Sequence, residues 1–218
     1  MIEKYELFIF DFDGTIIDSK EVMKKALLYC YDKHKPKEKP DFTLFFSMMG
    51  DSLNNILSRM GLPTEATEDY KRISIENQGA VKMIPKMKEV IDYLYNSNKK
   101  MAIYTGKDRK RTLSILDDLN ILNYFDFVVA SDDVDRPKPS PDGVYSILKS
   151  TKTKNEKAIL IGDSLYDIQS AKAAGIASAF VKWGTGKEEE VRELNPEYKF
   201  ENVGDLQGEL RVKEWEYA

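Results

Sequence analysis

Leu7-Phe8-Ile9-Phe10-Asp11-Phe12-Asp13-Gly14-Thr15 decides how this chain is read. Four apolar residues rich in aromatic and β-branched side chains form a short buried strand rather than a helix. Asp11 and Asp13 therefore emerge at a strand end and point the same way if extension continues. In open α/β sheets the crevice beyond the carboxyl ends of the strands is where ligands bind. The same residues also suit an Asp-Gly turn that caps the following helix.

The rest of the chain narrows the choice. Its 218 residues fit one large domain or a core with a modest insertion, and need no covalent staples. The single cysteine, Cys30, excludes an internal disulfide and suits a reducing compartment. Glu3, Lys4 and Glu6 interrupt the first apolar residues, so the expectation is a cytoplasmic protein without a membrane partner, monomeric or homodimeric. A net charge of -4 argues against a nucleic acid polymer as partner, because phosphate-backbone binding leaves a basic face. His34, the only histidine, sits among Lys33, Lys35 and Pro36 and reads as a solvated loop or helix end. Catalysis is then left to Asp, Lys, Thr or Ser.

Beyond Thr15 the apolar spacing becomes helical. Helices are expected at 18–34, around Phe42 to Met49, from Leu53 to Met60 behind an Asp51-Ser52 cap, and at 64–78. No stretch between residues 16 and 82 has strand character, so this region reads as an all-helical insertion. From Pro85 helix and strand alternate: helix 86–96, strand 101–104, helix 109–119, strand 127–130, helix 142–150, strand 158–161, helix 166–174, strand 178–181. A short strand at 198–200 and a helix at 203–212 complete the edge. Such alternation implies βαβ units and a doubly wound parallel sheet whose first strand is Leu7 to Phe10.

Each core strand ends in polar residues of a distinct kind. The second such end, Thr105-Gly106-Lys107, offers a hydroxyl and backbone N–H groups that suit an anion, or an ordinary helix cap. Three prolines stiffen Arg136-Pro137-Lys138-Pro139-Ser140-Pro141-Asp142, so Lys138 can be delivered from a rigid loop or stand there incidentally. Gly162-Asp163-Ser164-Leu165-Tyr166-Asp167 puts Asp163 at a strand tip and Asp167 one helical turn on. Together these ends gather carboxylates that repel one another unless a cation neutralises them. An all-oxygen donor set without His or Cys suits Mg²⁺. Thr105, the amides after it and Lys138 suit a phosphoryl group, and a carboxylate such as Asp11 can attack phosphorus.

In order and placement these residues resemble the four motifs of the haloacid dehalogenase superfamily of hydrolases: Asp11-x-Asp13-Gly-Thr, Thr105, Lys138 with its prolines, and Gly162-Asp163-x-x-x-Asp167. The resemblance implies a Rossmann-like core over residues 1–15 and 83–218 and a small mobile helical cap over 16–82, with hinges at 15–19 and 82–85. It implies Asp11 as nucleophile and Asp13 as general acid and base. Asp11, the Asp13 main-chain carbonyl and Asp163 would hold Mg²⁺, with Asp167 in support. Thr105, Gly106 and Lys138 would bind the phosphoryl group.

Family members differ in chemistry. Asp13 favours phosphoryl transfer over dehalogenation, because an alkoxide leaving group needs a proton and a halide does not. In sugar phosphomutase relatives an arginine precedes an Asp-Ser-Leu sequence; here Met48-Met49-Gly50 stands before Asp51-Ser52-Leu53, although Arg59 or Arg72 could substitute. Lys182-Trp183-Gly184-Thr185-Gly186 resembles the tail of phosphoglycolate phosphatase-like members. The expectation is a phosphatase for a small phosphorylated metabolite, with specificity at Gly50 and Asp51. A sugar phosphomutase, or a phosphate-binding module without turnover, are the alternatives.

Overall fold

Strand β1 (Leu7–Phe10) is buried along its whole length, and its side chains alternate between two apolar layers. Phe8 and Phe10 join one layer, Leu7 and Ile9 the other. A strand covered on both faces belongs at the centre of a parallel sheet. The structure, a computed structural model, describes residues 1–211.

After β1 the chain makes β2 (Ile17–Asp18) and then four helices, α1 (Lys20–His34), α2 (Phe42–Ser47), α3 (Leu53–Arg59) and α4 (Ala66–Glu76). These helices share their own apolar core, with Leu27, Cys30, Phe45, Leu57 and Tyr70 at its centre. The chain returns through β3 (Lys82–Met83), which pairs antiparallel with β2, Ile17 opposite Met83 and Asp18 opposite Lys82. The inserted region is therefore not entirely helical. Two-residue strands carry no alternation, so periodicity could not reveal the ribbon, and Asp18 opens a strand where a helix was expected.

The remaining elements alternate as anticipated, with ends shifted by a residue or two: α5 (Met87–Asn96), β4 (Lys100–Tyr104), α6 (Arg109–Asp118), β5 (Phe127–Val129), α7 (Asp142–Thr151), β6 (Ala158–Gly162), α8 (Leu165–Ala174), β7 (Ala177–Val181), α9 (Glu188–Val191), β8 (Tyr198–Phe200) and α10 (Val203–Glu209). The expected end of the last helix, Val212, lies outside the described residues. Six strands form one parallel sheet in the order β5-β4-β1-β6-β7-β8. This is an α/β, Rossmann-like fold. The chain leaves β1 toward β4 on one side and leaves β6 toward β7 on the other, so a crevice opens beyond the ends of β1 and β6.

His34 ends α1, where its Nε2 lies 2.8 Å from Asp69 Oδ2 on α4. Hydrogen bonds from Lys33 and His34 hold the Asp69 carboxyl down at about 2. The histidine thus ties two helices together, far from the strand ends.

One packing contact bears directly on the crevice. Tyr104, at the end of β4, is fully buried, and its hydroxyl donates to the Ser140 carbonyl at 3.1 Å. Its ring lies against Gly143 at the start of α7, leaving no room for a Cβ there. Lys138 Nζ sits 5.4 Å from the same ring. Gly143→Ala should therefore overpack the support of the Lys138 loop and cost about 1–3 kcal/mol of stability. Urea unfolding checks this, and an unchanged midpoint at unchanged slope would show that Tyr104 has room to move.

Candidate functional site

Asp11 leaves β1 with its amide bonded to the Ile161 carbonyl of β6 at 2.9 Å, so its position is set by the sheet. Its carboxylate is 4% exposed. Lys138 Nζ donates to Asp11 Oδ1 at 2.7 Å and to Asp167 Oδ1 at 2.6 Å. Against the burial that lowers it, the charges of Asp11 and Asp167 raise the Lys138 ammonium above its ordinary value. Asp167 Oδ2 is occupied as well, accepting from the Ser164 amide and hydroxyl in a box that caps α8.

Asp163 stands at the tip of β6 in a tight enclosure. The Thr185 amide and hydroxyl both donate to its Oδ2, at 2.6 and 3.1 Å. A Cβ on Gly14 would lie 2.5 Å from that oxygen, and one on Gly184 would overlap it too. Glycine is required in both loops because they close on one carboxylate. The Lys182 to Gly186 segment thus owes its composition to Asp163, and Trp183 Nε1 pins it to the Thr15 carbonyl at 3.2 Å.

Asp11, Asp163 and Asp167 each offer an oxygen within 4.8 Å of the others, all buried. Burial, with the Asp167 charge beside it, pushes the Asp163 carboxyl up to about 6. Burial also raises Asp11 against the pull of Lys138, with Asp167 and Asp163 adding to the rise. Three carboxylates against one ammonium leave two negative charges uncompensated, the charge of one divalent cation. Among the described residues, the protein hydrogen bonds fall on Asp11 Oδ1 and Asp163 Oδ2. The second oxygen of each is left for a ligand, and a hard cation matches this donor set.

Asp13 lies apart from that cluster. Its Oδ1 accepts from Ser19 Oγ at 2.5 Å, and its Oδ2 is 3.0 Å from Lys107 Nζ. Ser19 begins α1 without capping it, because its hydroxyl is spent on Asp13. Burial lowers the Lys107 ammonium below its ordinary value, Asp13 opposes the fall, and the nearby Arg111 charge adds to it. Thr105 Oγ1 accepts from the Lys107 amide at 3.1 Å, which leaves the threonine O–H free to donate.

The structure brings Asp11, Asp13, Thr105, Gly106, Gly50 and Asp51 to one cavity of about 30 Å³, roughly a tenth of the smallest drug-sized pockets of ~300 Å³. Gly106 meets the loop between α2 and α3 so closely that a Cβ would sit 2.5 Å from the Asp51 carbonyl. The Asp51 carboxylate turns back toward α3, accepting from Asn55 Nδ2 at 2.7 Å, with Arg59 at 3.6 Å. Arg59 also donates to the Tyr166 hydroxyl at 3.2 Å, and Arg72 pairs with Asp69 and Glu76. Neither arginine lines the cavity. Lys107 and Arg111 do, and neither was singled out from sequence. Two basic residues four apart, one in the strand-end loop and one in the first turn of α6, just after a strand-end threonine, are the signal that would have found them.

Charge balance makes a test. Asp163→Asn should raise the stability of the metal-free protein by relieving repulsion, and should abolish most of the stabilisation by divalent cation. For wild type at a hundredfold excess over Kd, that stabilisation is about 2.7 kcal/mol. Thermal melts with and without Mg²⁺ read both effects, and equal Mg²⁺ shifts in the two proteins would remove Asp163 from the metal site.

Comparisons with known proteins agree with this geometry. A family model described as haloacid dehalogenase-like hydrolase matches residues 8–181. A protein of Caldanaerobacter subterraneus carrying the pyrophosphatase name PpaX is 31% identical over 208 residues, covering 93% of each chain. A phosphoglycolate phosphatase of Aquifex aeolicus is 28% identical, covering 92% of this chain and 94% of its own. The crystal structure of a hydrolase from Pseudomonas syringae has the same fold, with a TM-score of 0.83 at 22% identity over 95% of this chain and 98% of its own. Family match, strand-end order and buried carboxylate cluster all point one way: this chain belongs to the haloacid dehalogenase-like hydrolases.

Proposed function

We propose that the protein is a Mg²⁺-dependent phosphatase that hydrolyses a small phosphate monoester or anhydride through an aspartyl-phosphate on Asp11. The observation that carries this reading is the separation of two carboxylates in one cavity. Asp11 is held by a lysine beside an acidic cluster, and Asp13 is held by Ser19 and a second lysine. A nucleophile and a proton carrier need such different surroundings. The names of the relatives, pyrophosphatase and phosphoglycolate phosphatase, support the same class of substrate.

In the first step an Asp11 carboxylate oxygen attacks phosphorus, the bond from phosphorus to the leaving oxygen breaks, and that oxygen takes its electron pair and the Asp13 proton. In the second, Asp13 takes a proton from water, the water oxygen attacks phosphorus, and phosphate leaves with Asp11 restored. Thr105, the backbone at Gly106 and Lys138 hold the phosphoryl oxygens where charge develops. Lys138 also aligns Asp11 by fixing its Oδ1. Asp11, Asp163 and the Asp13 main-chain carbonyl would hold Mg²⁺, with Asp167 fixing Lys138 behind them. When bound, the ion screens the repulsion between the anionic phosphoryl group and the carboxylates. Helices α1–α4 form the cap, Gly50 and Asp51 close it over Gly106, and the β2–β3 ribbon marks the crossings where it turns.

Two variants separate the roles. Asp11→Asn should abolish phosphate release and the formation of a hydroxylamine-sensitive phosphoenzyme; retention of either would sink the aspartyl-phosphate. Asp13→Ala should cost about 10²–10⁴-fold in kcat/KM for alkyl phosphates and clearly less for activated aryl phosphates. Equal losses on both would take the proton-transfer role from Asp13.

A further inference from the structure

The cavity carries side chains that phosphoryl transfer does not use. Met23, Phe45, Met49, Leu53 and Ile56 of the helical unit give it an apolar wall. Two polar side chains interrupt that wall, Tyr70 from α4 and Arg111 from α6. Both are deeply buried, at 3% and 5% exposure.

Arg111 is fixed in place. Its Nε donates to Asp108 Oδ2 at 2.5 Å, and its guanidinium carbon lies 5.8 Å from the Tyr70 ring centroid. A guanidinium carries five N–H groups in a rigid fork, and Asp108 takes the one at Nε. Among the described residues no protein acceptor receives a hydrogen bond from either terminal nitrogen of Arg111 or from the Tyr70 hydroxyl. Burial raises the Tyr70 phenol above its ordinary value, so the hydroxyl keeps its proton and can donate. These donors are not sealed among protein atoms; they belong to side chains that line the cavity, where a ligand can supply the acceptor.

The other charged side-chain donors and the Asp51 carboxylate around the cavity already have protein partners. Lys107 is committed to Asp13, Lys138 to Asp11 and Asp167, and the Asp51 carboxylate to Asn55 and Arg59. What remains is a planar guanidinium fork with its terminal N–H groups unused and a phenolic donor, both in the lining of the cavity that holds Asp11 and Asp13. Guanidinium forks pair with planar or tetrahedral oxyanions, carboxylate and phosphate above all.

We propose that Arg111 and Tyr70 are the specificity-determining pair of this site and receive a leaving group that carries its own negative charge, a second phosphate or a carboxylate. This rests on the phosphatase reading and narrows it: substrates are phosphoric anhydrides or esters of a small anion, and uncharged alcohols are poor leaving groups here. Tyr70 comes from the helical unit and Arg111 from the core, so the anion is gripped from both sides of the cleft.

The test compares pyrophosphate and phosphoglycolate with p-nitrophenyl phosphate, each with Mg²⁺, in wild type, Arg111→Met, Arg111→Lys and Tyr70→Phe. The readout is kcat/KM on each anionic substrate divided by that on the aryl ester. Arg111→Met should lower this ratio at least thirtyfold on one or both anionic substrates, mainly by raising KM. Arg111→Lys should restore part of it, and Tyr70→Phe, which keeps the ring packing, should lower it three- to tenfold. A larger fall on pyrophosphate identifies phosphate as the bound anion, and a larger fall on phosphoglycolate identifies carboxylate. Ratios within threefold of wild type in Arg111→Met and Tyr70→Phe would overturn the proposal while leaving the phosphatase intact; should Arg111→Met not fold, Tyr70→Phe alone decides. A wild-type protein that releases phosphate from none of the three overturns the phosphatase reading itself, and this inference with it.

Discussion

One buried ammonium holds the site together. Lys138 bridges Asp11 and Asp167 with its side chain fully enclosed. Removing one partner from such a pair leaves an uncompensated charge in low dielectric, at a cost of about 3–5 kcal/mol. Much of the surrounding architecture keeps that geometry. The proline-rich loop limits where Lys138 can stand, Tyr104 supports the loop from β4, and the cap of α8 fixes Asp167 by binding its other oxygen. The bridge still does not neutralise the cluster, because Asp163 adds a third carboxylate. A cluster with this excess of negative charge could hold a divalent cation, whose binding would relieve the repulsion among its carboxylates.

Asp13 obeys a different constraint. It follows Asp11 by two residues, yet its partners are Ser19 at the start of the helical excursion and Lys107 in the loop before α6. Ser19 lies beside the β2–β3 ribbon through which the chain crosses. Any rotation of the helices about that ribbon acts on Ser19, and so on the carboxylate it holds. Under the proposed mechanism, proton transfer by Asp13 and movement of the helices are linked through Ser19, while Asp11, anchored to β6, stays with the sheet.

The central sheet was legible because β1, β4, β6 and β7 are continuous apolar runs, which only a doubly covered strand requires. The carboxylates, Thr105 and Lys138 were legible because each directly follows such a run or sits in a proline-stiffened loop. Other features depend on contacts across long sequence separations, and no local pattern encodes them. The two-residue ribbon is one. The binding of Asp163 by Thr185 is another, since a Gly-Thr-Gly loop looks like an ordinary turn until its partner is known. Asp51 suggested a charge facing substrate, whereas its carboxylate is absorbed within its own helix start. Lys107 was visible only as part of the Thr105-Gly106-Lys107 strand end, and Arg111 only as a position in the helix expected at 109–119. They are buried because the inserted helices cover that end of α6.

That covering explains how one core can serve different substrates without rebuilding its chemistry. Residues at the strand tips are constrained by the sheet, by glycine-lined contacts and by charge balance, so each has little freedom to change. The apolar wall of the cavity has no such constraint. It is made by side chains of α1–α4 and by one face of α6, and an exchange there alters shape or charge without moving a strand. Tyr70 lies beside Arg111 and Gly50 beside Gly106, so under the proposed function recognition of the distal group and enclosure of the phosphoryl group would be one event. Binding energy from a nonreacting part of such a substrate would then help assemble the reacting part.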